Sequence, residues 1–208
     1  MSDRIRLSLW FESQTKAQML PRLALAAETL PQEAVERGVQ QFAVTAMDWN
    51  EAPLVDERAQ PGVVISEALE AMREFAQDDC ACEIEMMWSL WTYGGGKWNQ
   101  SPQALRLTSM GAAFGDANLR DDGDLTVDFG MDEAFLAELA PWNRETRQHL
   151  QANIVQLLVY CRRLEEMLKP MQRRLWSEDE EGDWTEKLKQ RLEMASSEAG
   201  EGSERLVQ

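Results

Sequence analysis

Residues 82–96 read Cys-Glu-Ile-Glu-Met-Met-Trp-Ser-Leu-Trp-Thr-Tyr-Gly-Gly-Gly, and the fold class turns on how this stretch is read. Ile84, Met86, Trp88 and Leu90 share one parity; Glu83, Glu85, Met87, Ser89 and Trp91 share the other. Side chains alternate between the two faces of a strand, so the pattern predicts a strand with one apolar face and one polar face that ends in aromatics. Gly94, Gly95 and Gly96 supply the positive-φ freedom of a tight reversal. Lys97 and Trp98 then begin a return toward Leu105, Leu107 and Met110, with Pro102 marking a break inside it. A polar connection from Gly115 to Gly123 follows. Beyond it Leu125, Val127 and Phe129 alternate with Thr126 and Asp128, which gives a further strand. Together these strands predict an antiparallel meander.

Working upstream, Ile5, Leu7, Leu9 and Phe11 alternate with Arg4, Arg6, Ser8 and Trp10, a first strand with one face on a core. Between Thr15 and Leu30 the apolar residues Met19, Leu20, Leu23, Ala24, Ala27 and Leu30 fall at helical spacing, with Pro21 fitting a first turn and Pro31 following the end. Gly38 precedes a second strand from Val39 to Met47. Residues 50–62, rich in acids and proline, read as a surface loop. A helix runs from Ser66 through Phe75, ended by Asp78 and Asp79.

Downstream of Pro141, the positions Leu150, Ile154, Leu157, Leu158, Cys161, Leu164, Leu168, Met171 and Leu175 step in the rhythm of one long helix, which Pro170 should bend or end. A shorter helix is expected from Trp184 to Met194. Ser, Glu and Gly dominate from Ala195 onward and predict a frayed tail. The whole reads as α+β: a mixed or mainly antiparallel sheet of about five strands, its last three a meander, packed with helices and followed by a long C-terminal helix. A ferredoxin-like variant is one topology that fits. The corresponding division is 1–140 as the sheet domain, 141–194 as a helical segment packed on it, and 195–208 as a flexible acidic tail.

Of the 208 residues, 21 are Lys or Arg and 37 are Asp or Glu, for a formal charge of -16. Phosphate backbones and anionic membrane surfaces would be repelled by that charge, so neither nucleic acid nor membrane is an expected partner. A basic protein would be attracted. No apolar run approaches the roughly 20 residues of a membrane span. The first residues lead into a strand instead of a secretory signal. Cys80, Cys82 and Cys161 make an odd count that suits a reducing compartment, and the expected location is the cytoplasm.

His149 is the only histidine, and no neighbouring nucleophile or Gly-x-Ser-x-Gly elbow accompanies it. Cys80-Ala-Cys82 is too tightly spaced for a usual zinc knuckle; a site from Cys80, Cys82, Cys161 and His149 would need the fold to gather distant segments. Asp116, Asn118, Asp121, Asp122 and Asp124 crowd oxygen ligands into one loop. Arg120, Asp121 and Val127 nevertheless stand where a calcium loop needs a ligand, a glycine and a bidentate glutamate. The glycine run lacks the Lys-Ser/Thr ending of a phosphate loop. No catalytic residue, metal or cofactor is therefore expected.

The least ordinary feature is aromatic. Trp91, Tyr93 and Trp98 surround the glycine turn and Trp49 adds to them, within a chain of eight tryptophans. Rigid aromatics of this kind suit a binding surface, while helices covering the sheet would explain them as packing. The expected function class is accordingly a non-catalytic protein-binding module, of immunity or inhibitor type, that uses an acidic surface and the aromatic hairpin against a basic protein. An enzyme acting through dispersed carboxylates such as Asp128 and Asp132 is the first alternative. A homodimer through the long helix is the second.

Overall fold

The computed structural model describes residues 3–31, 35–60, 63–115, 122–177 and 183–197, without the side chains of 35–37 and 197. In chain order the elements are β1 (Arg4–Trp10), α1 (Lys16–Thr29), β2 (Val35–Ala46), β3 (Val55–Arg58), α2 (Ile65–Arg73), β4 (Cys80–Gly94), β5 (Lys97–Met110), β6 (Leu125–Met131), α3 (Glu133–Leu136), α4 (Arg144–Leu168), β7 (Gln172–Trp176) and α5 (Trp184–Ser197). The strands form one sheet in the order β3-β2-β4-β5-β6-β1-β7.

Strand β4 organises the molecule because its apolar parity has no other place to go than a core. Ile84 and Trp88 are fully buried, and Met86 and Leu90 nearly so. They join Leu7, Leu9, Leu105, Leu107, Val127 and Phe129 of the neighbouring strands in one cluster. The helices close that cluster with Met19 and Leu23 of α1, Met72 of α2, Phe135 of α3, Leu150, Ile154, Leu157 and Leu164 of α4, and Leu188 of α5. Trp88 lies 5.5 Å from the Phe129 ring and 6.2 Å from that of Phe135. Tyr160 on α4 donates from its hydroxyl to Ala26 O on α1 at 2.9 Å, which ties these two helices together beneath the sheet.

The meander β4-β5-β6 is present and antiparallel, and β4 and β5 pair from Ala81↔Met110 to Gly94↔Lys97. Gly95 and Gly96, at φ 60° and 80°, make the two-residue turn between them. A left-handed φ at both central positions matches the twist of the strands and is cheap only for glycine. Every neighbouring pair in the sheet is antiparallel. A ferredoxin-like unit is also antiparallel between neighbours, but it sets its first strand between its third and fourth; here β1 lies between β6 and β7, so that variant does not apply.

Among the described residues the sheet has seven strands, two more than the periodicity suggests. Residues 55–58 of the supposed surface loop form β3, which pairs with β2 at the sheet edge. The segment after Leu168 is not helix. Lys169 takes a left-handed conformation at φ 49°, Pro170 follows, and residues 172–176 turn into β7 against β1. Leu175 thus belongs to the sheet, so residues 141–194 contribute a strand as well as helices. Pro21 lies in the second turn of α1, one turn later than expected, on an exposed position. Among the described residues no helix is long and apolar enough to cross a membrane.

Candidate functional site: the uncovered face of the sheet

The polar parity of the strands points away from the helices, and among the described residues no helix packs on that side, although Ser8, Thr108 and Thr126 on it are buried. Because each strand is antiparallel to its neighbours, the register fixes which side chains meet on that face. One row crosses all seven strands: Trp176, Arg6, Asp128, Arg106, Glu85, Gln41 and Arg58. The adjacent row holds Arg174, Ser8, Thr126, Thr108, Glu83, Ala43 and Asp56. In the first row charge alternates from Arg6 to Glu85, and the geometry follows that alternation. Asp128 Oδ2 lies 2.7 Å from Arg4 Nε and 3.7 Å from Arg6 Nε. Arg106 reaches Glu85 at 3.3 Å and Glu83 at 3.8 Å.

Aromatic groups frame these rows. Trp176 donates from Nε1 to Ser8 Oγ at 2.9 Å, with the guanidinium of Arg6 at 5.5 Å and that of Arg174 at 5.3 Å from its ring centre. Such stacking orients an arginine without consuming its donors. At the other end of the strands Trp49 sits edge-on to Phe114 at 4.8 Å and is half exposed. It lines a depression of about 230 Å³ together with Arg6, Glu83, Arg106, Thr108, Met110, Asp122, Thr126 and Asp128. A second depression of about 170 Å³, lined by Gln41, Thr45, Pro53, Asp56, Glu83, Glu85 and Arg106, lies beside the first. Glu83 and Arg106 form the saddle between the two.

Glu83 is the electrostatically unusual member. Burial pushes its carboxyl above the usual range, opposed by Arg106 and by the Thr108 hydroxyl 3.5 Å away, and reinforced by Glu85 and Asp56. The arginine stands too far off to offset the loss of water, so the saddle holds an acid that is incompletely solvated by the protein.

Of the four residues singled out from sequence, three lie at the other end of β4, where the hairpin bends over α4. Trp98 is 8% exposed and donates from Nε1 to Thr146 Oγ1 at 3.2 Å. Trp91 stacks on His149 with ring centres 3.8 Å apart, and Trp98 lies 5.3 Å from the same imidazole. Tyr93 packs on Trp98 at 5.6 Å. Asn153, itself buried, accepts from the Trp91 amide at 3.0 Å and donates to Trp91 O at 2.8 Å and Ala134 O at 2.7 Å. This aromatic hairpin is a packing seam with α4, and Trp49 is the one of the four that stands half exposed over the uncovered face.

The remaining chemical candidates separate. His149 belongs to the seam, with Glu145 Oε1 3.9 Å away. Cys80, Cys82 and Cys161 are buried free thiols, and burial pushes Cys82 and Cys161 up to about 12, which keeps them protonated and unreactive. Among the described residues no three of His, Cys, Asp or Glu gather as a metal would require. Asp128 belongs to the charged row. Asp132 instead lines a separate hollow between the β4–β5 pair and α3, so these two acids do not meet. Residues 116–121 of the polar connection, residues 178–182 and the tail from 198 lie outside the described residues.

Arg106 and Glu83, the centre of the site, carry no motif. Their only sequence signal is membership of the polar parity. The chain matches no protein-family model, and comparison with curated proteins and with solved structures finds no significant match.

Proposed function

We propose that this chain is a non-catalytic protein-binding module that recognises its partner with the uncovered face of the sheet. The observation that carries this reading is the charged row from Arg6 through Asp128 and Arg106 to Glu85, laid open across adjacent strands and flanked by Trp176 and Trp49. An antiparallel sheet exposes a polar face to water as a matter of course. Ordinary solvation does not account for the partly desolvated Glu83 or for a half-exposed tryptophan beside it. Both are features of a surface that gains by being covered. The depressions are open and smaller than the roughly 300–1,000 Å³ of a small-molecule pocket, which favours a macromolecular occupant. The formal charge of -16 favours a partner with basic character and fast, salt-sensitive association. We place the protein in the cytoplasm, where three unreacted thiols are at home.

Charge swapping tests the reading. The double variant Arg106→Glu with Glu85→Arg keeps the net charge and the internal ion pair but inverts the pattern on the face. We expect a partner recovered from native extract by the parent chain to bind this variant at least ten-fold more weakly, with an unchanged circular dichroism spectrum. Equal binding by the folded variant would remove the uncovered face from consideration. A second reading, catalysis on a small ligand, is favoured by Glu83 alone, since a carboxyl held above its usual range suits a general acid. Its mark would be a pH–rate profile that Glu83→Gln abolishes.

A further inference from the structure

We propose that the ridge from Met47 to Leu54 docks a basic amphipathic segment of the partner; this rests on the protein-binding reading above and names the chemistry of what binds. The ridge lies at the end of β2, where the chain leaves the sheet. Met47 is 63% exposed, Trp49 50% and Leu54 53%, three large apolar side chains that face water from within eight residues of chain, Trp49 with its other side against Phe114. Isolated exposed apolar residues need no explanation, but three within so short a stretch do.

Met47 also adopts φ 69°, a left-handed conformation that a side-chain-bearing residue adopts at a cost and glycine adopts freely. The fold needs that backbone geometry. The Met47 amide donates to Asp79 O at 2.7 Å, and Met47 O accepts from the Gly115 amide at 2.6 Å. The fold does not need the side chain, which lies mostly in solvent. A strained residue whose exposed side chain contributes little packing is a feature that binding explains and folding does not.

Acids outnumber bases around these apolar groups. Glu51, Asp56 and Glu57 are exposed on the turn and β3 and Asp48 is half-buried, against Arg58 on β3 and Arg6 and Arg106 in the adjoining depressions. Asp48 Oδ1 accepts from the Asn50 amide at 2.7 Å, which shapes the turn and leaves its carboxylate at the surface. The complement of apolar side chains interleaved with carboxylates is a segment carrying apolar side chains interleaved with lysine or arginine. Trp49 lines one depression of the uncovered face and Pro53 the other, so the ridge continues the surface already described.

The test uses the full chain, labelled with nitrogen-15, and three short synthetic peptides: an amphipathic Leu/Lys helix, its Leu/Glu counterpart, and a Lys/Ser peptide without the apolar face. The readout is the Trp49 indole N–H, identified by its loss in Trp49→Phe. We expect the Leu/Lys peptide to shift that resonance and the other two to leave it in place. Met47→Gly leaves the charge unaltered and relieves the left-handed strain. It should raise the thermal midpoint while weakening the Leu/Lys peptide roughly five-fold or more, a combination that neither misfolding nor non-specific attraction can produce. An unmoved Trp49 indole at saturating Leu/Lys peptide, an equal response to the Leu/Glu peptide, or undiminished binding by Met47→Gly would each overturn the proposal. A response confined to the Arg106 Nε–H would overturn the ridge while leaving the uncovered face as the binding surface.

Discussion

The two faces of β4 are made of alternate residues of one stretch of chain, and they do opposite work. Ile84, Met86, Trp88 and Leu90 point under the sheet, where water is absent and shape decides what fits. Glu83, Glu85, Met87 and Ser89 point outward, where each charge is partly hydrated and its partner sits at 3.3 to 3.8 Å, held loosely by a long arginine. Burial of apolar area is worth far more to stability than exposed ion pairs are. The comparison therefore assigns stability to one parity and recognition to the other, and it can be broken at named residues.

The covered face should show the largest effect. Trp88→Ala removes a fully buried indole that contacts Phe129 and Phe135, and should cost about 3–5 kcal/mol in urea unfolding. A loss below about 1 kcal/mol would mean that the core does not depend on this parity. Among the described residues Trp88 Nε1 has no hydrogen-bond partner, so Trp88→Phe should lose much less than Trp88→Ala.

Asn153→Ala comes next, because α4 is joined to β4 past the point where β2 stops pairing. The substitution strips partners from the Trp91 amide and carbonyl and from Ala134 O, and should cost about 2–3 kcal/mol. Hydrogen exchange should quicken at the hairpin before it quickens at Ile84. Uniform loss of protection along β4 would instead show that the seam has no stability of its own.

The smallest effect belongs to the open face and carries a definite sign. The folded value of Glu83 lies above its ordinary 4.5. At low pH both folded and unfolded chains hold the proton. As pH rises the unfolded chain releases it first, and the folded state loses stability until its own value is passed. Glu83→Gln removes this term, so its thermal midpoint relative to the parent should climb from acid to neutral pH. A constant difference would show that Arg106 compensates the acid fully.

Much of this was readable from residue order. The parity of β4 and β1, the meander, and the helices α1, α2 and α4 all follow from local periodicity, since each buries its apolar side against the core whatever its neighbours. Strand β7 did not, because Leu164, Leu168, Met171 and Leu175 keep the helical rhythm, and the strand exists only because β1 offers Ser8 and Leu7 an empty edge. Strand β3, four residues of Val-Asp-Glu-Arg, has no apolar alternation and is likewise a product of its partner. The site was half legible. Parity places Arg6, Glu85, Arg106 and Asp128 on polar faces, but which of them touch is a matter of register between strands far apart in sequence, and no single strand encodes that. The contact of the aromatic hairpin with α4 was illegible for a related reason: Thr146 and His149 meet Trp98 and Trp91 from some fifty positions away.

The pairing of β1 has a consequence for how the chain is made. Leu7 is made long before its neighbours on either side, Val127 and Leu175. β2, β4 and β5 can pair with one another as they are made, whereas β1 must wait for β6 to close one of its edges and for β7 to close the other. Loop closure over such distances is slow, and an unpaired apolar strand is what chaperones bind. The earliest of the described strands is thus the last to be enclosed, and β7 supplies the final edge that covers it.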